Sequence, residues 1–324
     1  MAAISPRPVA IDTDPGIDDA LALMLALRSP ELHVELITTV AGNVPIEVAT
    51  ANARRLLALI DPPRWPVLAQ GATRPLRRAL HTATAAHGQD GLGGLTLLQR
   101  ADGQPAYPLP ERPAAQSQAI RRLVHLVHQY GPALTIIALG PLTNIARAIQ
   151  QAPERMRRLG RLVIMGGAIA VPGNVSPTAE FNIFVDPHAA DVVFRAGLPI
   201  TLVPLDVTRQ VRLTEAFVQQ TMPGDSTPYS EAIRHMTRQR SQRESSGRPM
   251  HDPLAVAVAI DATLVTCTSL PLGIETRGMY TVGMTVADRR PARRCTSSLS
   301  QVEVALEVDA ARVMTLLATR VLTA

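Results

Sequence analysis

Asp12, Asp14, Asp18 and Asp19 place four carboxylates within eight residues near the start of the chain. Two carboxylates about 4 Å apart repel by about 1 kcal/mol even in water, and by more in a drier site. A helix amino terminus, carrying roughly half a positive charge, offsets part of this. Converging acids are better satisfied by a hard divalent cation with oxygen ligands, calcium or magnesium. The blander reading makes Asp12 or Asp14 a turn or cap residue and leaves Asp18 and Asp19 exposed. That role suits a single aspartate better than all four. Other residues able to do chemistry lie downstream: His87 in a glycine-rich loop, then Asn174, Glu180, Phe181, Asn182 and Asp186, then His251-Asp252-Pro253. His87 reads equally as an ordinary loop histidine, and Asp252 alone reads as a helix cap.

The elements around these residues give the acids a place. Pro8 to Ile11 is an apolar run and Ala20 to Leu27 an amphipathic one, so the acids fall between a strand and a helix. In open α/β sheets that crevice is where ligands bind. A β-rich run over 33–40 ends at Ala41-Gly42-Asn43, Pro45 opens a helix through Ile60, and Pro66 to Ala69 suggests a third strand. This alternation is the pattern of a parallel sheet, giving an α/β fold. Residues 71–113 break the rhythm, and a connection that long is usually a binding loop or lid. Helix, strand and turn resume over 114–130, 134–139 and Gly140 to Asn144, and a strand over 161–165 ends at Gly166-Gly167. A helix begins near His188, and the strand over 199–205 ends at Asp206. Residues 213–250 read as polar and helical with a turn at Pro223-Gly224-Asp225, 254–260 as an apolar helix, 273–287 and 301–308 as strands, and 310–322 as a closing helix. The polar groups collect at one end of the strands. No repeat or linker divides 1–324, which reads as one domain.

Composition narrows the function classes. The hydrophobic fraction is 46% and the charged fraction 18%, the balance of a globular protein. All 32 basic residues are arginine, scattered against 27 acids, and no basic tract interleaved with aromatics offers a nucleic-acid platform. Two cysteines, Cys267 and Cys295, exclude a disulfide framework and point to reduced, cytoplasmic thiols. No leader-like core precedes Asp12, and no apolar run approaches the roughly 20 residues of a membrane span. No Gly-x-Gly-x-x-Gly or Walker sequence follows the first strand, so dinucleotide and NTP binding lose their main support.

The motif Asp12-Thr13-Asp14-Pro15-Gly16-Ile17-Asp18-Asp19-Ala20 resembles the amino-terminal aspartate cluster of the inosine–uridine preferring nucleoside hydrolases. Ala41-Gly42-Asn43, Gly140 to Asn144, Met165-Gly166-Gly167, Glu180-Phe181-Asn182 and His251-Asp252 are similar to that family's other signatures, in the right order. The resemblance implies a Rossmann-like α/β domain, with helices on both faces of an open, mainly parallel, mixed sheet, assembled as a homodimer or homotetramer. The implied activity is hydrolysis of the N-glycosidic bond of ribonucleosides to base and ribose, and the implied cofactor is calcium. By similarity Asp14, Asp19, Asp252 and the Leu139 carbonyl would hold it, and Asp14 would take a proton from the water that calcium holds. Asp18, Asn43, Asn174, Glu180 and Asn182 would grip the ribose hydroxyls. His251 would protonate the departing base, and His87 lies in the loop expected to cover it.

The segment over 238–244 contains no aromatic, where family members often present one to the base. Stacking would then fall to Phe181 or Tyr229, and hydrogen bonding should outweigh it, which favours pyrimidine ribonucleosides over inosine. Two rival readings remain at this point. Asp12-Thr13-Asp14 has the Asp-x-Asp spacing of a haloacid-dehalogenase-type phosphatase, though the chain has no lysine to bind the phosphate. A non-catalytic nucleoside or ribose sensor would keep the pocket without turnover.

Overall fold

A computed structural model describes residues 5–111, 117–222, 224, 226–241, 247–290 and 299–323. Cys295, part of the aromatic-free segment (242–244) and the first residues of the helix expected from 114 lie outside the described residues. Strands β1 (Arg7–Thr13), β2 (Leu32–Thr39), β3 (Val67–Gln70), β4 (Thr135–Ala138), β5 (Arg161–Met165) and β6 (Ile200–Val203) are joined through helices. They are followed by β7 (Arg212–Leu213) and β8 (Arg248–Pro249), which pair with each other, then by β9 (Val265–Ile274), β10 (Thr285–Ala287) and β11 (Ser300–Val308).

The main sheet has nine strands in the order β10-β9-β11-β6-β5-β4-β1-β2-β3. From β3 through β11 the neighbours are parallel, and β9 runs antiparallel to both β11 and β10. The order 3-2-1-4-5-6 reverses direction between β1 and β4. That reversal opens the crevice in which doubly wound sheets bind ligands.

Side chains alternate across the central strands, as a pleat requires. Val9, Ile11, Ile137, Val163 and Met165 pack with the helices Ile17–Leu27, His251–Ile260 and Ala310–Leu317. Ala10, Ile136, Ala138, Leu162 and Ile164 pack with Ala119–Tyr130, Thr143–Gln151 and Pro187–Phe194 on the other face. The helix Ile17–Leu27 is buried from Ile17 to Ala26, so both its faces are covered. Each fully enclosed Leu or Met there contributes about 1.5–3 kcal/mol.

Two expectations need correction. Of the strands expected over 273–287, β9 already begins at Val265 and β10 spans only Thr285–Ala287, and the helix before β9 begins at His251 rather than after Pro253. Among the described residues, 213–250 hold the helices Glu215–Thr221 and Pro228–Ser241, parted where the turn was expected and bounded by β7 and β8. The long connection after β3 is tied down: Asp90 accepts from the N–H groups of Leu92, Gly94 and Thr96 at 2.8–3.0 Å, and Asn52 Nδ2 donates to the Asp90 carbonyl. Among the described residues no helix is long and apolar enough to cross a membrane.

Candidate active site

The carboxyl ends of β1, β2, β4, β5 and β6 deliver most of the site. Asp14 leaves β1, and its Oδ2 accepts from the Asn43 N–H at 2.6 Å. A Cβ on Gly42 would lie 2.1 Å from that oxygen, and one on Gly140 2.5 Å from Oδ1. Only glycine lets both backbone segments close on the carboxylate. Asp19 opens the first helix. It accepts from Thr13 Oγ1, from the Gly16 N–H at 2.9 Å and from Asn43 Nδ2 at 3.1 Å. It therefore helps to cap its helix from the third helical position, but it is buried beside Asp14 where the blander reading had it exposed. Leu139 N–H donates to the Asp12 carbonyl at 2.8 Å, extending the β1–β4 ladder to the edge of the site.

A cavity of about 640 Å³ opens above these acids. Asp18, Asn43, His87, Leu139, Asn174, Glu180, Phe181, Asn182, His251 and Asp252, all singled out from sequence, line it. Asp14 and Asp19 lie behind that lining, each one hydrogen bond from Asn43. His87 Nδ1 accepts from the Ile17 N–H at 3.1 Å, which places the ring proton on Nε2. His251 Nδ1 is 2.7 Å from Thr208 Oγ1, so the hydroxyl orients the imidazole. Asn182 Nδ2 donates to the carbonyls of Leu139 (2.6 Å) and Met165 (3.2 Å). Glu180 accepts from the N–H groups of Gly167, Asn182 and Ile183 at 2.8–3.1 Å. Asn174 Oδ1 accepts from the Phe181 N–H at 2.9 Å.

Some expected residues fall elsewhere. Tyr229 is in the core with the Arg28 guanidinium 5.0 Å from its ring centroid, so it cannot stack on a base. Phe181 does line the cavity, with His81 6.3 Å away between centroids. Asp18 is buried rather than exposed. Asp12 bonds Thr38 Oγ1 and Asn144 Nδ2 and does not line the cavity, so the Asp-x-Asp pair of a phosphatase does not converge on it. His81, Thr208, Arg209, Arg212 and Arg248 were missed. Arg209 and Arg212 line the same wall and anchor the carbonyls of Gly173 and Gly247. Thr208 to Arg212 follow the end of β6, and that position was the signal for them.

The electrostatics are those of acids awaiting a counter-charge. Burial, then repulsion from Asp19, pushes the Asp14 carboxyl far above its usual range. Burial, then Asp19, Asp18 and Asp14, does the same to Asp252, and burial raises Asp19 against the pull of Thr13 and Gly16. Burial also raises Asp18, but Arg248, His251 and His87 outweigh it and hold this carboxyl below its usual value. Burial raises Glu180 despite its backbone N–H donors. Among the described residues no ion pair reaches Asp14, Asp19 or Asp252. Nor do any three His, Cys, Asp or Glu side chains already surround one metal position. The donor chemistry nonetheless fits a hard cation: all-oxygen, buried, mutually repelling, with Gly42 and Gly140 clearing room beside Asp14.

These shifts carry a stability consequence. A buried acid with a raised pKa stays protonated in the folded chain after its unfolded counterpart has ionised, so stability falls as pH rises between the two values. Asp12, pushed up to about 7 by burial, sets one such window, and Asp14, Asp19 and Asp252 act in the same direction. Calcium-stripped protein should therefore melt at lower temperature on going from about pH 5 to about pH 7, and calcium should abolish most of that fall. Melting curves across that range, with and without calcium, check it; a calcium effect independent of pH would count against it.

Similarity to known proteins converges on one class. The inosine-uridine preferring nucleoside hydrolase profile matches residues 9–315. The chain is 39% identical over 286 residues to the pyrimidine-specific ribonucleoside hydrolase RihA of Salmonella enteritidis, covering 87% of this chain and 88% of that one. Its structure matches a plant nucleoside hydrolase, the PpNRh1 enzyme, with a TM-score of 0.86 at 33% identity over 99% and 100% of the two chains. It also matches the purine-preferring ribonucleoside hydrolase from Gardnerella vaginalis, with a TM-score of 0.85 at 32% identity over 97% and 98%. The chain belongs to the inosine-uridine preferring nucleoside hydrolase family. Its enzyme class is therefore that of the nucleoside N-glycosyl hydrolases.

Proposed function

We propose that this chain hydrolyses the N-glycosidic bond of ribonucleosides, with pyrimidine ribonucleosides favoured, as one domain in a cytoplasmic homodimer or homotetramer. The observation that carries the reading is the buried Asp14, Asp19 and Asp252 group beneath a cavity lined by Asn43, Glu180, Asn182 and His251. Asp14, Asp19, Asp252 and the Leu139 carbonyl would hold calcium, which when bound supplies positive charge that makes a nearby water more acidic. Asp14 takes the proton of the attacking water as general base. Asp18, Asn43, Asn174, Glu180 and Asn182 grip the ribose hydroxyls. Their oxygens also stabilise the positive charge that develops on the sugar as the bond breaks. His251, oriented by Thr208, donates a proton to the departing base, while His87 offers its Nε2–H at the cavity wall. The pyrimidine preference is supported by the similarity to RihA and by a cavity richer in hydrogen-bonding groups than in aromatics.

A base-release assay over inosine, adenosine, guanosine, uridine and cytidine, with calcium present, tests the activity. Faster turnover of inosine than of uridine would refute the pyrimidine preference alone. No base release from any of them would favour the sensor reading. The purified enzyme should hold about one calcium per chain, and activity lost on chelation should return with calcium. Zinc in its place, or full activity after complete metal removal, would overturn the calcium assignment.

Leaving-group assistance has its own signature. His251→Ala should lower kcat/KM for uridine by about 10²-fold, the scale of a lost general acid. For p-nitrophenyl riboside, whose leaving group needs no proton, the loss should stay below about tenfold. Equal losses on the two substrates would remove His251 from the departure step.

A further inference from the structure

Arg248 is 2% exposed, the bulkiest side chain so enclosed among the described residues. Its Nε donates to Asp18 Oδ1 at 2.5 Å, across 230 residues of sequence. Its Nη1 and Nη2 are both buried and have no hydrogen-bond partner among the described residues. The arginines that brace this fold behave differently. Arg7 donates to the carbonyls of Ala259 and Ile260, Arg209 to Gly173, and Arg212 to Gly247. Among the described residues Arg248 braces no backbone carbonyl, and its side chain is held by Asp18.

Asp18 lines the cavity; Arg248 does not. The guanidinium thus approaches the carboxylate from the protein side, opposite the substrate. A carboxylate free to rotate could present either oxygen to a ligand, whereas one anchored through Oδ1 presents Oδ2 in a fixed direction.

We infer that Arg248 is a positioning residue that pins Asp18 and thereby sets how strictly the site demands a ribose hydroxyl. The inference rests on the reading that Asp18 grips such a hydroxyl. A buried acceptor held in place rejects a sugar lacking its donor, because the oxygen would then be left unpaired. Released from Arg248, Asp18 can turn away, and the penalty shrinks.

The test compares uridine with 2′-deoxyuridine and 3′-deoxyuridine in the unmutated enzyme, Arg248→Met and Arg248→Lys. The unmutated enzyme should disfavour at least one deoxy substrate by about 10²-fold or more in kcat/KM. Arg248→Met should lower that discrimination at least tenfold, mostly through loss on uridine, and Arg248→Lys should retain part of it. Millimolar guanidinium should restore discrimination to Arg248→Ala by filling the vacated space. Equal losses on ribo- and deoxyribonucleosides, or failure of guanidinium to restore selectivity to a folded Arg248→Ala protein, would make Arg248 merely structural and overturn the inference. Should no nucleoside be hydrolysed even by the unmutated enzyme, the proposed function fails. Calorimetric titration with uridine and the deoxynucleosides still reads Asp18. Tighter binding of uridine by the unmutated protein but not by Arg248→Met supports the inference, and equal preference in both refutes it.

Discussion

Asp14→Asn is expected to lower kcat by about 10³-fold or more, within the range seen when a general base is removed. The amide keeps the shape of the carboxylate and its acceptor toward the Asn43 N–H, so the fold should survive. It cannot take a proton from water. Because the same side chain is a proposed calcium ligand, calcium content must be measured on the variant beside its rate. Full calcium with a collapsed kcat assigns the loss to proton transfer, whereas lost calcium assigns it to binding. Near-normal turnover by a calcium-loaded Asp14→Asn enzyme would remove Asp14 from the base role.

Gly42→Ala should be nearly as damaging, although it touches no group that reacts. The added methyl would lie 2.1 Å from Asp14 Oδ2 and 2.7 Å from Pro141 Cδ, so neither side has slack. Asp14 must rotate or the loop after β2 must retreat, taking the Asn43 N–H away from the carboxylate. A misplacement of about 1 Å at a reacting group costs on the order of 10² in rate, and displacing a calcium ligand as well should bring the loss in kcat to about 10³. Rates for Gly42→Ala, with its melting temperature to show that it folds, check this. A folded variant with more than about a hundredth of normal activity would mean the backbone relaxes there at little cost.

The acids of the first strand–helix turn were legible because their chemistry is dense and local. Four carboxylates in so short a run are costly unless something uses them, and the apolar runs on either side fix their place in an α/β sheet. The parallel strands were legible for a related reason, since buried strands read as apolar runs. Most of the strand Val265–Ile274 was not. Only Pro271, Leu272 and Ile274 of it are buried, and Pro271 argues against an interior strand. In the sheet, β10 covers β9 only at Leu272–Ile274, so Pro271 sits where its missing N–H is not needed on that side. Tyr229 could not be placed from sequence, because whether an aromatic faces a cavity or the core depends on how its helix is turned. Arg248 was invisible for a deeper reason: a lone arginine before His251 has no meaning until the fold sets it against Asp18.

The helix Ile17–Leu27 packs against the helix His251–Ile260, and Arg7 is tied to the carbonyls at that second helix's end. During synthesis the first strand and helix therefore emerge long before the surface that covers them. Until residue 260 clears the ribosome, the side chains of Leu21, Leu23, Met24 and Leu25 lack part of the cover they have in the finished fold. At about 5–20 residues per second that wait lasts some tens of seconds. A nascent chain in that state is a client for holding chaperones. Truncation anywhere before the last third should yield aggregates rather than a smaller working enzyme.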